Sequence, residues 1–181
     1  MKAYQVTEKY SIAGLALVEK DIPKLLPHQV LVKIKAASLN YRDLLVIKGI
    51  ESWKPPVGRI PISDGVGIVV EKGIAVNSLK INDRVAGLFL PNWLEGKLNP
   101  AKLVNPLGGR LYDGVLQEYV VFDKSAVIKV PAFLSDAAAA TLPCAGLTAW
   151  NGMMEKGKIG PGQTVLIQGT GGYLYSPRNS R

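Results

Sequence analysis

Gln29-Val30-Leu31-Val32-Lys33-Ile34-Lys35-Ala36-Ala37 is a short run of β-branched and aliphatic residues that ends in alternation with lysine. It is too short for an ordinary helix and has the composition of a strand. Leu15 to Ile22, Val66 to Lys72, Arg84 to Phe89, Gly114 to Phe122 and Ala126 to Val130 repeat the pattern on either side, separated by Gly, Pro, Asn and Asp. Short strands at this spacing predict a barrel or sandwich extending to about Val130. The 19 Gly and 12 Pro among 181 residues agree with many tight turns and lean away from a helical bundle. Pro91 to Asp113, with Asn, Pro, Gly and Lys throughout, predicts a long excursion on the surface.

The texture changes at Ser135. Ser135-Asp136 caps a predicted helix beginning Ala137 to Ala140, Pro143 divides it into two, and Leu147, Trp150, Met153 and Met154 keep a helical period that predicts core packing. After the Pro161-Gly162 turn, Thr164-Val165-Leu166-Ile167-Gln168 predicts a buried strand running directly into Gly169-Thr170-Gly171-Gly172. A strand that enters Gly-x-Gly-Gly opens a dinucleotide-binding unit, because glycines let the backbone approach a pyrophosphate at the next helix terminus. Leu174 stands where the strict pattern wants a small residue, and only the nine residues Tyr173 to Arg181 follow. A strand, helix and returning strand need about 30, so residues 131–181 predict the start of a nucleotide domain that is begun and not completed.

Charge and composition narrow the function classes. Lys and Arg number 22 against 14 Asp and Glu, a net charge of +8, but the basic residues are scattered and not interleaved with aromatics, which argues against nucleic-acid binding. The amino terminus lacks the apolar stretch of a secretory signal, and no run approaches the ~18 apolar residues of a membrane span. Cys144 is the single cysteine, so no internal disulfide forms, in keeping with a reducing, cytoplasmic setting. His28, the one histidine, lies between Pro27 and a strand and reads as a turn residue.

Five phrases in order carry a resemblance: Leu31-Val32-Lys33-Ile34-Lys35-Ala36, Ser38-Leu39-Asn40-Tyr41-Arg42-Asp43-Leu44, Asn82-Asp83-Arg84-Val85, Glu118-Tyr119-Val120 and Pro143-Cys144-Ala145-Gly146-Leu147-Thr148-Ala149-Trp150. Together they resemble the medium-chain dehydrogenase/reductase superfamily over residues 1–172. The resemblance implies a mainly β, GroES-like barrel over residues 1–130, then the start of an α/β Rossmann domain binding NADPH or NADH over residues 131–181. In that superfamily the chain runs to roughly twice this length.

The resemblance also frames the choice between zinc-dependent alcohol dehydrogenases and zinc-free reductases. Catalytic zinc needs about three ligands drawn from Cys, His and carboxylate. In the zinc branch these are a Cys where this chain has Asn40, a His where it has Ser63, and a Cys matching Cys144. Only the last is kept, so Cys144 reads as a ligand position without a site, better explained as a small buried apolar residue. Arg42 replaces the branch's hydroxyl relay residue, and Pro91 to Asp113 lacks the cysteine cluster of the structural zinc. No metal is expected.

Without zinc, hydrogen-bond donors must polarise a carbonyl, and Asn40, Tyr41 and Arg42 are the candidate catalytic residues. Their phrase resembles the quinone oxidoreductase branch. The resemblance implies hydride transfer from reduced nicotinamide to a quinone or an α,β-unsaturated carbonyl, with Tyr41 or water supplying the proton. Asp43 is equally well a structural carboxylate paired with Arg42 or a backbone donor. Ser63 and Asp64 are expected to line the substrate pocket, although Asp64 also suits a turn-stabilising role. Thr148 is expected beside the nicotinamide carboxamide or in helix packing, and Gly169, Thr170, Gly171 and Gly172 under the pyrophosphate. The branch leans to NADPH and to a homodimer in the full-length form, with a small-molecule partner, no nucleic acid and no membrane. The alternatives are a non-catalytic GroES-like binding module and a zinc-type relative that has lost its metal.

Overall fold

A computed structural model describes residues 1–97, 99–103 and 106–167. The run from Gln29 is a central strand, β3 (Gln29–Ser38), to be numbered after β1 (Lys2–Gln5) and β2 (Ala16–Glu19), which pair with each other as a separate antiparallel ribbon. Strands β4 (Asp64–Lys72), β5 (Arg84–Gly87), β6 (Tyr119–Asp123) and β7 (Val127–Lys129) join β3 in one curled antiparallel sheet of order β6-β3-β4-β5-β7. Being covered on both faces, the first half of β3 is apolar without alternation, and Val30, Leu31 and Val32 are all buried. Two register shifts against β4, between Leu31 and Val32 and between Ile34 and Ala36, bend the strand.

The core lies inside this curl. Val30, Val32, Val69, Val85, Val120 and Phe122 from four strands meet Ile62, Val76, Leu79, Leu107 and Val115 from the connections. The mainly β class expected for the first 130 residues therefore holds. Two strand boundaries differ: Gly114 to Glu118 is not part of β6, and β1 forms from a segment with little apolar pattern. Gly114 instead presses against the backbone of residues 61 and 62, where an added Cβ would meet the Ile62 carbonyl oxygen. The long excursion is likewise not confined to the surface, since Leu107 returns into the core. Its outward part includes a one-turn helix, α2 (Pro100–Leu103).

A helix that the strand pattern did not predict, α1 (Tyr41–Ile47), follows β3. Asn40 is extended at its cap and the Asp43 carboxylate accepts from the Asn40 backbone N–H at 2.8 Å, a capping arrangement that starts the helix. Gly49, at φ +62°, ends it in the left-handed conformation.

Ser135 caps α3 (Asp136–Ala140) as expected, its hydroxyl oxygen accepting from the Ala138 N–H at 3.1 Å. Arg84 on β5 anchors this helix to the sheet by donating to Asp136 at 3.0 Å and to the Leu134 carbonyl at 2.7 Å. Ala139 and Ala140 pack on Val66 and Ala86. Pro143 opens a second helical stretch: a π-helical turn (Leu142–Gly146), α4 (Leu147–Trp150) and another π-helical turn (Asn151–Lys156).

The core packing expected of this stretch is not observed. Trp150 is 55% exposed and Met154 40% exposed. A helical period identifies an apolar face, but no element among the described residues covers this one. Thr164–Ile167, the described part of the expected strand, is not paired in a sheet, because a parallel strand needs a neighbour and no described strand lies alongside. Among the described residues no helix is long and apolar enough to cross a membrane.

Candidate active site

The start of α1 and the start of β4 meet at a buried charged cluster. Arg42, 7% exposed, donates from Nη1 to the Asp43 carboxylate and to the Leu107 carbonyl, each at 3.0 Å. Asp43 is buried beside it. Burial pushes the Asp43 carboxyl above the usual carboxylate range, opposed by the backbone N–H of Asn40 and the charge of Arg42. The same burial lowers the Arg42 guanidinium, with Asp43 opposing. The structural pairing open to Asp43 from its sequence is therefore the observed one.

Ser63 and Asp64 are fully buried. The Ser63 hydroxyl donates to Asp64 Oδ1 at 2.7 Å, and the backbone N–H of Cys144 donates to Asp64 Oδ2 at 2.9 Å. Both carboxylate oxygens are thus occupied, one by its neighbour and one by the helical stretch eighty residues further on. Burial raises the Asp64 carboxyl, and the Ser63 hydroxyl is the largest opposing influence. Just before them Ile62 has φ +73°, unusual for a β-branched residue. Its carbonyl is held by the Val115 N–H at 2.8 Å, so the surrounding backbone imposes the conformation.

Asn40 closes the cluster. Its side chain lies near enough to Asp64 to favour the ionised carboxylate, yet its buried Nδ2 has no hydrogen-bond partner. Cys144 is only partly buried, not the enclosed apolar residue expected. Among the described residues no three of His, Cys, Asp and Glu are grouped to hold a metal ion. The Cys144 thiol and the Asp64 carboxylate are of the types that bind zinc, whereas the Asn40 amide and the Ser63 hydroxyl are not, and both Asp64 oxygens already accept hydrogen bonds.

Tyr41, the first residue of α1, is 73% exposed. Thr148, on α4 four residues after Cys144, is also exposed. Gly169, Thr170, Gly171 and Gly172 lie outside the described residues. His28 sits in a turn, 3.2 Å from Asp123 on the surface.

What sequence reading missed is the cleft beside the cluster. A space of about 210 Å³ is lined by Arg42, Trp53, Phe89, Pro106 and Arg110, among others. The Arg42 guanidinium carbon is 5.5 Å from the Trp53 ring centre and 5.3 Å from that of Phe89, within range of cation–π attraction. Trp53 follows α1 on a short 3₁₀ turn (Glu51–Trp53), and Phe89 follows β5. No spacing rule links them, and only the fold brings them together.

A curled antiparallel sheet, with a short buried helix and an arginine-centred cleft at one edge, defines a GroES-like module. The chain belongs to the alcohol dehydrogenase GroES-like domain family, whose model matches residues 26–132. A zinc-type alcohol dehydrogenase-like protein of Schizosaccharomyces pombe is 42% identical over 157 residues, 85% of this chain and 45% of that protein. The structure of a cobalt- and zinc-bound thermostable alcohol dehydrogenase from Pyrobaculum aerophilum superposes with a TM-score of 0.80 at 27% identity, covering 97% of this chain and 54% of that one. A quinone oxidoreductase from Coxiella burnetii superposes with a TM-score of 0.69 at 28% identity, covering 90% and 46%. The chain spans about half the length of the curated relatives it matches.

Proposed function

We propose that this chain is the GroES-like part of a zinc-independent, NAD(P)H-dependent reductase of quinones or α,β-unsaturated carbonyl compounds, with NADPH the preferred donor. The observation that carries the reading is Asp64. Beside the two positions where Asn40 and Ser63 stand in place of zinc ligands, its carboxylate already accepts two hydrogen bonds, one of them from the Ser63 hydroxyl. The relatives' names include both alcohol dehydrogenases and quinone oxidoreductases, and this local chemistry favours the second.

The acceptor's carbonyl oxygen is taken to approach the start of α1, where Asn40 and Arg42 would orient and polarise it, beside the cleft that Arg42 lines with Trp53 and Phe89. A reduced nicotinamide, when bound, would supply the hydride, two electrons and a proton, that the β-carbon of the enone accepts. The enolate oxygen then gathers negative charge, and either the Tyr41 phenol or water returns one proton to give the saturated carbonyl. Exposed Thr148 would contact the carboxamide, and Gly169 to Gly172 the pyrophosphate. Residues 1–130 form the barrel and residues 131–181 open the nucleotide domain.

The test is turnover of a quinone with NADPH by the protein expressed from its complete gene. Tyr41→Phe lowers kcat by about 10²-fold if the phenol is the proton donor. An unchanged rate removes Tyr41 from the mechanism and leaves water in that role.

A further inference from the structure

We infer that Asp64 is a positioning residue: through its hydrogen bond to Cys144 it fixes where the helical stretch bearing Thr148 stands against the sheet. The inference rests on the reading that Thr148 contacts the nicotinamide carboxamide, and it adds how that contact is aimed.

The stretch is held twice before it reaches Cys144. Arg84 binds Asp136 and the Leu134 carbonyl, and Ala139 and Ala140 are buried on Val66 and Ala86. The bond from the Cys144 N–H to Asp64 Oδ2 then ties the π-helical turn to β4. Beyond it no residue from Ala145 to Ile167 is buried, and the N–H groups of Gly146, Gly157 and Ile159 donate within the stretch. Thr148 is carried past this last hold by α4, about 6 Å further along the helix axis.

Both partners of the bond are prepared for it. In an uninterrupted helix the Cys144 N–H would be spent on the carbonyl four residues back. Pro143 and the π-helical turn break that ladder, and the N–H donates to a side chain instead. The acceptor is fixed as well. Asp64 is fully buried, and the Ser63 hydroxyl holds its other oxygen at 2.7 Å, which stops the carboxylate from turning. A hydrogen bond to a carboxylate shielded from water is among the stronger ones an amide can make.

The test follows amide hydrogen exchange in the protein from the complete gene and in its Asp64→Ala and Asp64→Asn variants. In Asp64→Ala, amides 144–156 are expected to exchange at least about tenfold faster while β3 and β4 keep their protection. Asp64→Asn, whose amide oxygen can still accept from Cys144, is expected to stay near the wild-type rates. Unchanged exchange in Asp64→Ala, an equal rise in β3 and β4, or an Asn variant as loose as the Ala one overturns the inference. If Asp64→Ala does not fold, Ser63→Ala, which frees the carboxylate to turn, is expected to speed exchange over 144–156 about threefold, and no change there overturns the inference. With NADPH saturating, Asp64→Ala is expected to lower kcat for a quinone about 10²-fold and leave the KM for the quinone within about twofold, because a misplacement of about 1 Å costs that much in rate. Faster exchange without the loss of kcat refutes the positioning role alone. Faster exchange in Asp64→Ala of a protein whose wild type reduces no quinone refutes the reductase reading alone.

Discussion

The sheet and the helical stretch after Pro143 are built from equally apolar sequence, yet one buries its side chains and the other displays them. In the sheet Val30, Val69, Val85 and Phe122 come from four strands and enclose one another. Along the helical stretch Leu147, Trp150 and Met154 follow a helical period and remain exposed. The difference teaches that apolar periodicity specifies a face, whereas burial needs a second element opposite it. Asp64 stands at the junction, rooted in β4 and bonded to the backbone of Cys144.

The comparison breaks first at the core. Phe122→Ala is expected to cost about 3–5 kcal/mol in urea unfolding, because it opens a cavity at the centre of the curl. A loss under 1 kcal/mol, on the order of a surface change, would mean that the sheet packs no better than the helical stretch.

The junction supplies the next effect. Burial holds the Asp64 carboxyl above its ordinary value of 3.8, so the folded chain keeps this proton at pH values where the unfolded chain has released it. Stability from this group is present below that ordinary value and is lost as pH rises through the raised one. Compared with Asp64→Asn, the wild-type protein should lose stability over that window with a slope of up to about 1.4 kcal/mol per pH unit. Parallel stability curves for the two proteins would show that Asp64 is not strained by burial.

Smaller still is the cap. Ser135→Ala should destabilise by about 1 kcal/mol through loss of the acceptor for Ala138. Trp150→Ala should change stability by no more than about 0.5 kcal/mol in the same assay, as a solvated side chain does. A penalty for Trp150→Ala as large as that for Phe122→Ala would erase the contrast between the two regions.

Legibility followed the same division. The strands at Gln29 and Val66 and the cap at Ser135 are local patterns, and they appear where their residues predict. Helix α1 also carried a local signal, Asn40 three residues before Asp43, but it was hidden inside a phrase read for its chemistry. The pairing of Arg42 with Asp43 follows from adjacency. The contacts of Asp64 with Cys144, and of Arg42 with Trp53, Phe89 and Leu107, join residues far apart in the chain. No periodicity encodes such contacts, because they depend on how β4, β5 and the excursion after Pro91 are stacked.

The proposed function rests on a carbonyl reduction that needs no metal ion. Its most direct test is the NADPH-dependent rate of the protein from the complete gene, measured before and after exhaustive dialysis against EDTA, and again with zinc added back. The account predicts one rate in all three conditions. A rate abolished by chelation and restored by zinc would contradict it.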